Sequence, residues 1–512
     1  MAGNTVILKP APEAVLTSWA LCKALWDAGI PKNVLQFLPT TDDAVGRSLV
    51  TDDRVDAVIL TGAYATGRMF KSWKPGLRLL AETSGKNSMI VTAMADHDQA
   101  IKDMVKSAFG HAGQKCSAAS LAVLEAEVYD NEAFLKQLRD AAASLNVGPA
   151  HDLRNTVTTV VREPGDDLRR GLTQLDPGEF WLLEPRVLNG NSNLWSPGIK
   201  LGVKRGSWYH RTECFGPVLG LMRAENLDDA IDCVNDSEFG LTSGIQSLDD
   251  REVAIWRERV EAGNAYINRG ITGAIVQRQP FGGWKKSVFG SAKAGGPNYV
   301  AALCRWREEG LPTLLAQAEG DVQVRIHEIT DWLAANGGLA QIERVFAGAG
   351  SYAHAWREHF SVEHDPSRVL GESNVFRYRP ILNVLIRVAR KTELTDALIA
   401  VLAAQTCGVS ATLSVCQGIG WPIECADGVT EDDSAFVERL ADFERVRAFS
   451  PLSQSAQVSA TAAHTLIVEQ PLLLTGRLEL RHYLREQTVT QTTHRYGNLI
   501  VTPQAHPVSE RR

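Results

Sequence analysis

Between Thr5 and Leu60, short apolar runs of strand character alternate with segments whose apolar residues recur at helical spacing, and the connections between them are short. The strand-like run Thr5–Leu8 gives way to a helical pattern from Val15 to Ala28. That pattern stops at Gly29-Ile30-Pro31, where a glycine can take the left-handed cap and the proline cannot continue a helix. Strand-like NVLQFLP, helix-like DDAVGRSLV and an apolar run from Val55 to Leu60, expected to be a buried strand, follow in turn. Alternation of this kind implies a parallel sheet covered by helices, an α/β fold. The chain enters its first strand directly from AGN, with no turn, cap or polar leader, which is how the middle of a domain reads.

At 512 residues the chain is too long for one core and should divide into about three domains or subdomains. Apolar residues make up 44% and charged residues 22%, so long disordered stretches are not expected. A net charge of −7 offers no general attraction to nucleic acid or acidic membrane, which makes a small molecule the default ligand. The eight cysteines are scattered, with no CxxC pair to suggest zinc or a redox motif. No apolar stretch is long enough to cross a bilayer, and residues 1–20 lack the pattern of a signal peptide, so the expected setting is cytoplasmic.

The run ending at Leu60 leads into Thr61-Gly62 and a helix near Ala63, a turn whose free amides suit a pyrophosphate but which is common in α/β proteins. No GxGxxG occurs. Its nearest imitation, Gly348 to Ala353, follows a helical run rather than a strand. Four further elements stand in order: Lys9-Pro10, Glu82 in AETSGKN, Cys116 in GHAGQKCSA, and Glu213 in ECFGPV, followed by NRGITGAIVQRQPFGGWKKS from Asn268.

The ordered set resembles the aldehyde dehydrogenase superfamily over about residues 2–300, with 34 positions between Glu82 and Cys116 and 97 between Cys116 and Glu213. The residue chemistry agrees. Oxidising an aldehyde by hydride transfer calls for a soft nucleophile, a cofactor face beside it and a base for the later hydrolysis. Cys116 follows Gly113-Gln114 beside Lys115, a small-residue turn able to expose the sulfur and to offer amides to an oxyanion. The resemblance implies NAD as cofactor. Glu82 is then the general base, Glu213 the acid on the nicotinamide ribose, Phe215 the aromatic beside the nicotinamide, and Lys9 the lysine reaching the adenine ribose. Thr61 and Gly62 fall at the pyrophosphate turn. Many relatives read the adenosine ribose with an acid where this chain has Pro12 and then Glu13, and the usual serine after Thr61-Gly62 is Ala63, so NAD against NADP stays open.

Within the superfamily, Thr272 to Val276 leading to Pro280-Phe281-Gly282-Gly283 resembles the aldehyde-anchor loop of L-glutamate γ-semialdehyde (pyrroline-5-carboxylate) dehydrogenases. There the loop amides and a serine after the nucleophile hold the amino-acid carboxylate, which carries over to Gly273, Ala274 and Ser117, with Phe281 beside them. Residues 476–499, GRLELRHYLREQTVTQTTHRYGNL, resemble the C-terminal motif of long proline utilization A proteins, which join a proline dehydrogenase to this aldehyde dehydrogenase and close an internal cavity with the motif. Between them, NVLIRV, ELTDALIAVLAAQTCGV and SATLSV echo the opening β and α units and suggest a noncatalytic Rossmann-like domain. His354, His359 and His364 are spaced by five; on a helix each step turns about 140°, which disperses them, so a structural role is expected and no metal.

The expected organisation is an incomplete Rossmann-like NAD-binding domain (1–83), a catalytic thiol domain (84–285), a return segment (286–309), a degenerate aldehyde-dehydrogenase-like α/β domain (310–475) and a C-terminal β-hairpin motif with a tail (476–512). The expected activity is NAD-dependent oxidation of L-glutamate γ-semialdehyde to L-glutamate through a cysteine thioester, with a proline dehydrogenase domain or subunit as partner and a homo-oligomer as assembly. The alternative from a different class is a noncatalytic fragment or partner subunit of such a bifunctional enzyme. In the family the earlier Rossmann strands, the dimerisation-hairpin strand and an oxyanion-hole asparagine all precede the position of residue 1. A third alternative is a dehydrogenase for aldehydes without a carboxylate.

Overall fold

The computed structural model describes residues 3–41, 43–421, 427–495 and 498–499. The opening β and α units are formed as the periodicity suggests. Strand Val6–Leu8 pairs in parallel with Leu35–Phe37, and between them helix Val15–Asp27 stops where Gly29 takes φ +97° and its amide caps on the Trp26 carbonyl. The run expected as a buried strand over Val55–Leu60 is corrected in extent and burial. Residues 52–55 make a turn, the strand is Val58–Thr61, and Ile59 is 57% exposed. It is the edge strand of a three-stranded sheet whose middle strand is Leu79–Glu82 and whose other edge is Val288–Phe289, and its Ile59 and Thr61 side is exposed.

The largest sheet has nine strands in the order Glu372–Pro380, Leu484–Thr492, Asn264–Ile267, Thr242–Gln246, Asn87–Val91, Ala119–Glu125, Val218–Ala224, Gly198–Leu201 and Phe180–Leu183. Its neighbours pair in parallel except the strands at the two ends. The inner strands read as near-continuous apolar runs, as Met89, Ile90 and Val91 do, because helices cover both faces. One covering helix, His97–Phe109, is capped by Asp96, whose carboxylate accepts from the Gln99 amide at 3.2 Å. It buries Ile101, Met104, Val105, Ala108 and Phe109 against the sheet and delivers the chain to the Cys116 loop.

A second, fully parallel sheet of five strands orders Gly428–Glu431, Ser410–Cys416, Asn383–Val388, Arg445–Ala448 and Leu466–Val468. Helix Leu394–Thr406 packs on it, and nearly all its residues from Leu394 to Ala404 are buried, as an all-round apolar helix requires. Gly348 to Ala353 lie inside helix Leu339–Ala355 and form no strand-to-helix turn.

Two sequence expectations meet a different geometry. Two of the three histidines do not disperse: the helix passes into a π-helical turn at Trp356–Phe360 and ends, the chain folds back, and the His359 and His364 rings lie 4.5 Å apart. His359 Nε2 hydrogen-bonds the Tyr378 hydroxyl at 3.1 Å and His364 Nε2 meets the His359 carbonyl at 2.9 Å, so both rings serve packing. The terminal run, where the sequence suggests a hairpin, forms a short helix at Gly476–Glu479 and then strand Leu484–Thr492. That strand pairs antiparallel with Glu372–Pro380, far upstream, and parallel with Asn264–Ile267. Among the described residues, hairpin pairing within the run joins His494–Arg495 to Asn498–Leu499. Tyr496 and Gly497 of the HRYGN string, residues 500–512 and Cys425 lie outside the described residues. No helix among the described residues is long and apolar enough to cross a membrane.

Candidate active site

Strand Leu79–Glu82 ends on Glu82, and the turn Thr83–Lys86 carries the chain from the three-stranded sheet into the nine-stranded one at Asn87. One carboxylate picked out in the sequence binds this turn and the other precedes it. Glu213 accepts from the Gly85 amide at 2.8 Å, while Glu82 accepts from the Gly283 amide at 3.3 Å. Burial raises Glu213, partly offset by its hydrogen bonds from Gly85 and Ser84 and by Lys86. Burial pushes Glu82 up to about 8, against the pull of Lys293 and the Gly283 amide, with Glu486 adding to the rise.

Cys116 is half-buried in the loop after helix His97–Phe109. His111 and Ala112 both sit in the left-handed region, at φ 57° and 53°, followed by Gly113 at φ +68°. Such a run of left-handed residues turns the chain sharply, and strain of this kind gathers at functional sites. Asn87, which sequence reasoning passed over inside AETSGKN, fixes the loop from below. Its Nδ2 donates to the carbonyls of Cys116 at 2.7 Å and Ala118 at 2.9 Å, and its Oδ1 accepts from the Thr242 amide at 3.0 Å. Burial raises the Cys116 thiol, and the negative charges of Glu82 and Glu213 raise it further. The sulfur therefore feels both carboxylates, and the structure brings Cys116, Glu82 and Glu213 into one cluster.

Phe215, at φ +56° and 42% exposed, stands at the rim of that cluster, and its carbonyl accepts from Gln114 Nε2 at 3.2 Å. Gly113 packs so closely on this segment that a Cβ added to it would sit 2.2 Å from the Gly216 carbonyl oxygen. Gly113→Ala is accordingly expected to cost about 1–3 kcal/mol in urea unfolding. It should also slow alkylation of Cys116 by iodoacetamide, read by mass spectrometry.

Thr61 and Gly62 lie exposed where strand Val58–Thr61 enters helix Tyr64–Trp73. Ala63 at the N-cap supplies no side-chain cap, so the first-turn amides rely on other acceptors, among them Ser84 Oγ, 3.3 Å from the Tyr64 amide. Lys9 follows a strand of the separate two-stranded sheet and lies against Gly46 of helix Ala44–Thr51. Glu13, next to the position where many relatives carry an acid, pairs with Arg162.

The anchor-like loop is tied at both ends: the Ile271 amide donates to Ser107 Oγ at 3.1 Å, and Gln279 Nε2 to Asn374 Oδ1 at 2.6 Å. Between these ties Gly273 takes φ +86° with open space about it, and Ala274 is half-exposed. Ser117 is buried, and Phe281 is bridged through its backbone to Ala294. Behind Glu82 opens a cavity of about 1000 Å³, whose lining includes Lys293, Asn298, Arg481, Arg485 and Glu486. Three of these come from the terminal run. Among the described residues, no group of three His, Cys, Asp or Glu side chains could hold a metal.

A thiol, two carboxylates whose charge it feels and an exposed strand-to-helix turn make up the equipment of a cysteine-dependent dehydrogenase. Residues 1–308 match the aldehyde dehydrogenase family, and the chain belongs to it. It is 34% identical over 322 residues to a 1-pyrroline-5-carboxylate dehydrogenase of Bacillus cytotoxicus, an alignment covering 59% of this chain and 60% of that protein. The solved proline utilization A of Corynebacterium freiburgense superposes with a TM-score of 0.84 at 43% identity, covering 97% of this chain and 48% of that one. A Thermus 1-pyrroline-5-carboxylate dehydrogenase with bound NAD superposes at 0.53 and 32% identity, covering 59% of each chain. This chain therefore spans well under two thirds of each of these relatives.

Proposed function

We propose that this chain oxidises L-glutamate γ-semialdehyde to L-glutamate with NAD as hydride acceptor. The observation that carries this reading is the meeting of Cys116, Glu82 and Glu213 about the Thr83–Lys86 turn. The residues present fit the cofactor: the exposed Thr61-Gly62 turn leads into helix Tyr64–Trp73, whose N-cap residue Ala63 supplies no side-chain acceptor, and Glu213 and Phe215 flank the nucleophile. Thr61 and Gly62 would hold the pyrophosphate, Lys9 the adenine ribose, and Glu213 the nicotinamide ribose. Bound NAD supplies the acceptor for the hydride leaving the substrate carbon.

The chain's own groups do the rest. Cys116 Sγ forms a bond to the aldehyde carbon and gives up its proton, for which Glu82 is a fit acceptor because burial has raised its proton affinity towards that of a thiol. After oxidation the acyl group is held on sulfur as a thioester. Once Glu82 has passed the thiol proton to solvent it takes a proton from the attacking water, the carbon–sulfur bond breaks to release the acid and the Cys116 thiolate, and a proton from Glu82 restores the thiol. Gly273, Ala274 and Ser117 would hold the substrate's carboxylate, with Phe281 against its chain. The partner supplying the semialdehyde would be a proline dehydrogenase domain or subunit, and the cavity behind Glu82, walled in part by the terminal run, is the space through which it would arrive. All seven described cysteines are free, which supports a reducing, cytoplasmic setting.

The test is NADH formation by the purified chain from L-glutamate γ-semialdehyde and from propanal. The carboxylate-bearing substrate should be preferred by about tenfold or more in kcat/KM, since the loop's amides lose their acceptor in the other. Equal rates would point to another aldehyde, and no NADH from either would remove the catalytic reading. A second reading, that the chain works only within a larger assembly, is favoured by apolar side chains left open on the opening elements, with Leu16 83% and Trp19 46% exposed. Activity that appears only on mixing with a proline dehydrogenase would select it.

A further inference from the structure

Glu82 does not stand alone: Gly282, on which it packs, lines the cavity together with Lys293 and Glu486. Behind it, Lys293 is buried with its ammonium donating to Asn264 Oδ1 at 2.8 Å and to the Gly282 carbonyl. Its backbone amide donates to Glu486 Oε2 at 2.9 Å, and Asn298 Nδ2 donates to Glu486 Oε1 at 2.7 Å. Gly282 touches both Lys293 and Glu82: a Cβ on it would lie 2.7 Å from Glu82 Oε1 and 3.2 Å from Lys293 Cγ. Glu486 is carried by strand Leu484–Thr492, which Trp284 also secures, its Nε1 donating to the Glu486 carbonyl at 2.9 Å.

The oxygens that bind the Lys293 ammonium belong to uncharged groups, so the charges it feels are the two carboxylates, Glu82 and Glu486. One cation cannot neutralise two anions in a water-poor interior, so the arrangement favours keeping a proton on one of them. We propose that Glu486 is a positioning residue for Glu82: together with Lys293 it governs whether the Glu82 carboxyl is protonated or free to act as a base. The proposal rests on the reading of Glu82 as the base of the site. The other titratable groups facing this cluster are Cys116 and Tyr299 on the side of Glu82, and Tyr378, Arg445 and Arg481 on the side of Glu486. Neither arginine places its described hydrogen bonds on Glu486. Those of Arg445 go to the carbonyls of Arg481, His482 and Leu484, and that of Arg481 to Leu478.

Infrared spectroscopy of the full chain without substrate reads this directly. The protonated-carboxyl band of Glu82, assigned by its loss in Glu82→Gln, is followed against pH in each variant. In the unaltered protein it should vanish with a midpoint at about 8. Glu486→Gln keeps the side chain's shape and removes its charge, so the midpoint should fall by about one pH unit, a roughly tenfold loss of proton affinity. Lys293→Met should raise it by about as much. Glu486→Asp, which restores the charge, should return the midpoint towards that of the unaltered protein. Should Glu486→Gln fail to fold, Asn298→Ala serves: without its hydrogen bond Glu486 holds its proton more firmly, and the Glu82 midpoint should again fall. A midpoint unmoved in Glu486→Gln, or in Asn298→Ala where that variant stands in, overturns the proposal, as does a shift of the same sign in Lys293→Met. Moved midpoints in a protein that makes no NADH would uphold this link and sink the proposed activity instead.

Discussion

Glu82→Gln is expected to leave a burst of about one NADH per active site and then to lower steady turnover by about 10²–10⁴-fold, the range that a positioned general base supplies. The split follows from the two tasks in the site. Glutamine still accepts from the Gly283 amide and still fills the space beside Gly282, so the pocket should keep its shape. Another base, water included, can take the thiol proton before the burst, whereas the other carboxylate of the cluster, Glu213, is engaged by the Gly85 amide and assigned to the nicotinamide ribose. Cys116→Ala in the same stopped-flow experiment should show no burst at all, because the atom that carries the acyl group is gone. In the unaltered protein the hydrolytic rate should climb as the pH rises through about 8, where Glu82 loses its proton. Below that the carboxyl is protonated and cannot accept another. A Glu82→Gln variant that turns over at the normal steady rate would remove Glu82 from the mechanism.

Glu479→Leu is expected to destabilise the five-stranded unit by about 3–5 kcal/mol, the usual cost of leaving one partner of a buried ion pair uncompensated. The Arg447 and Glu479 side chains are 1% and 0% exposed, with Arg447 Nε 3.0 Å from Glu479 Oε1 and Nη2 3.2 Å from Oε2. Glu479 also accepts from the Tyr483 hydroxyl at 3.0 Å and from the Leu473 amide at 3.1 Å, so its loss orphans several groups at once. The first transition in urea, followed by tryptophan fluorescence, should move accordingly. Adding Arg447→Met should recover much of the loss, since an apolar pair of similar volume dispenses with the desolvated charges. A double variant no more stable than Glu479→Leu alone would show that the damage lies in packing rather than charge.

What the sequence disclosed and what it hid divide along chain separation. The opening alternation was legible because helix and strand periods are local, and the helix stop at Gly29 could be read from three adjacent residues. Burial of Val58–Thr61 was not, because it depends on how many strands lie beside it. The thiol and its two carboxylates could be picked out by order and spacing, yet the part played by Asn87 could not: an asparagine inside a motif says nothing of which carbonyls it will reach. Lys293 and Glu486 were still less visible, standing 193 positions apart with no shared pattern. Likewise, five-residue spacing on an unbroken helix parts His359 from His364, and only the ending of that helix at Phe360 lets their rings meet.

The strand Leu484–Thr492 also governs the order of assembly. It lies between Glu372–Pro380 and Asn264–Ile267, and Gln487 Nε2 bonds the Ala262 carbonyl across 225 positions of chain. At about 5–20 residues per second, a ribosome needs roughly 10–45 s to make that interval. Throughout it the edge of Asn264–Ile267 is without its final neighbour and open to pairing with other chains. High contact order of this kind makes folding slow and exposed to aggregation. The Glu82 site thus acquires its Glu486 neighbour only after Leu484–Thr492 has been made, and a nascent chain cannot hold a finished site before then.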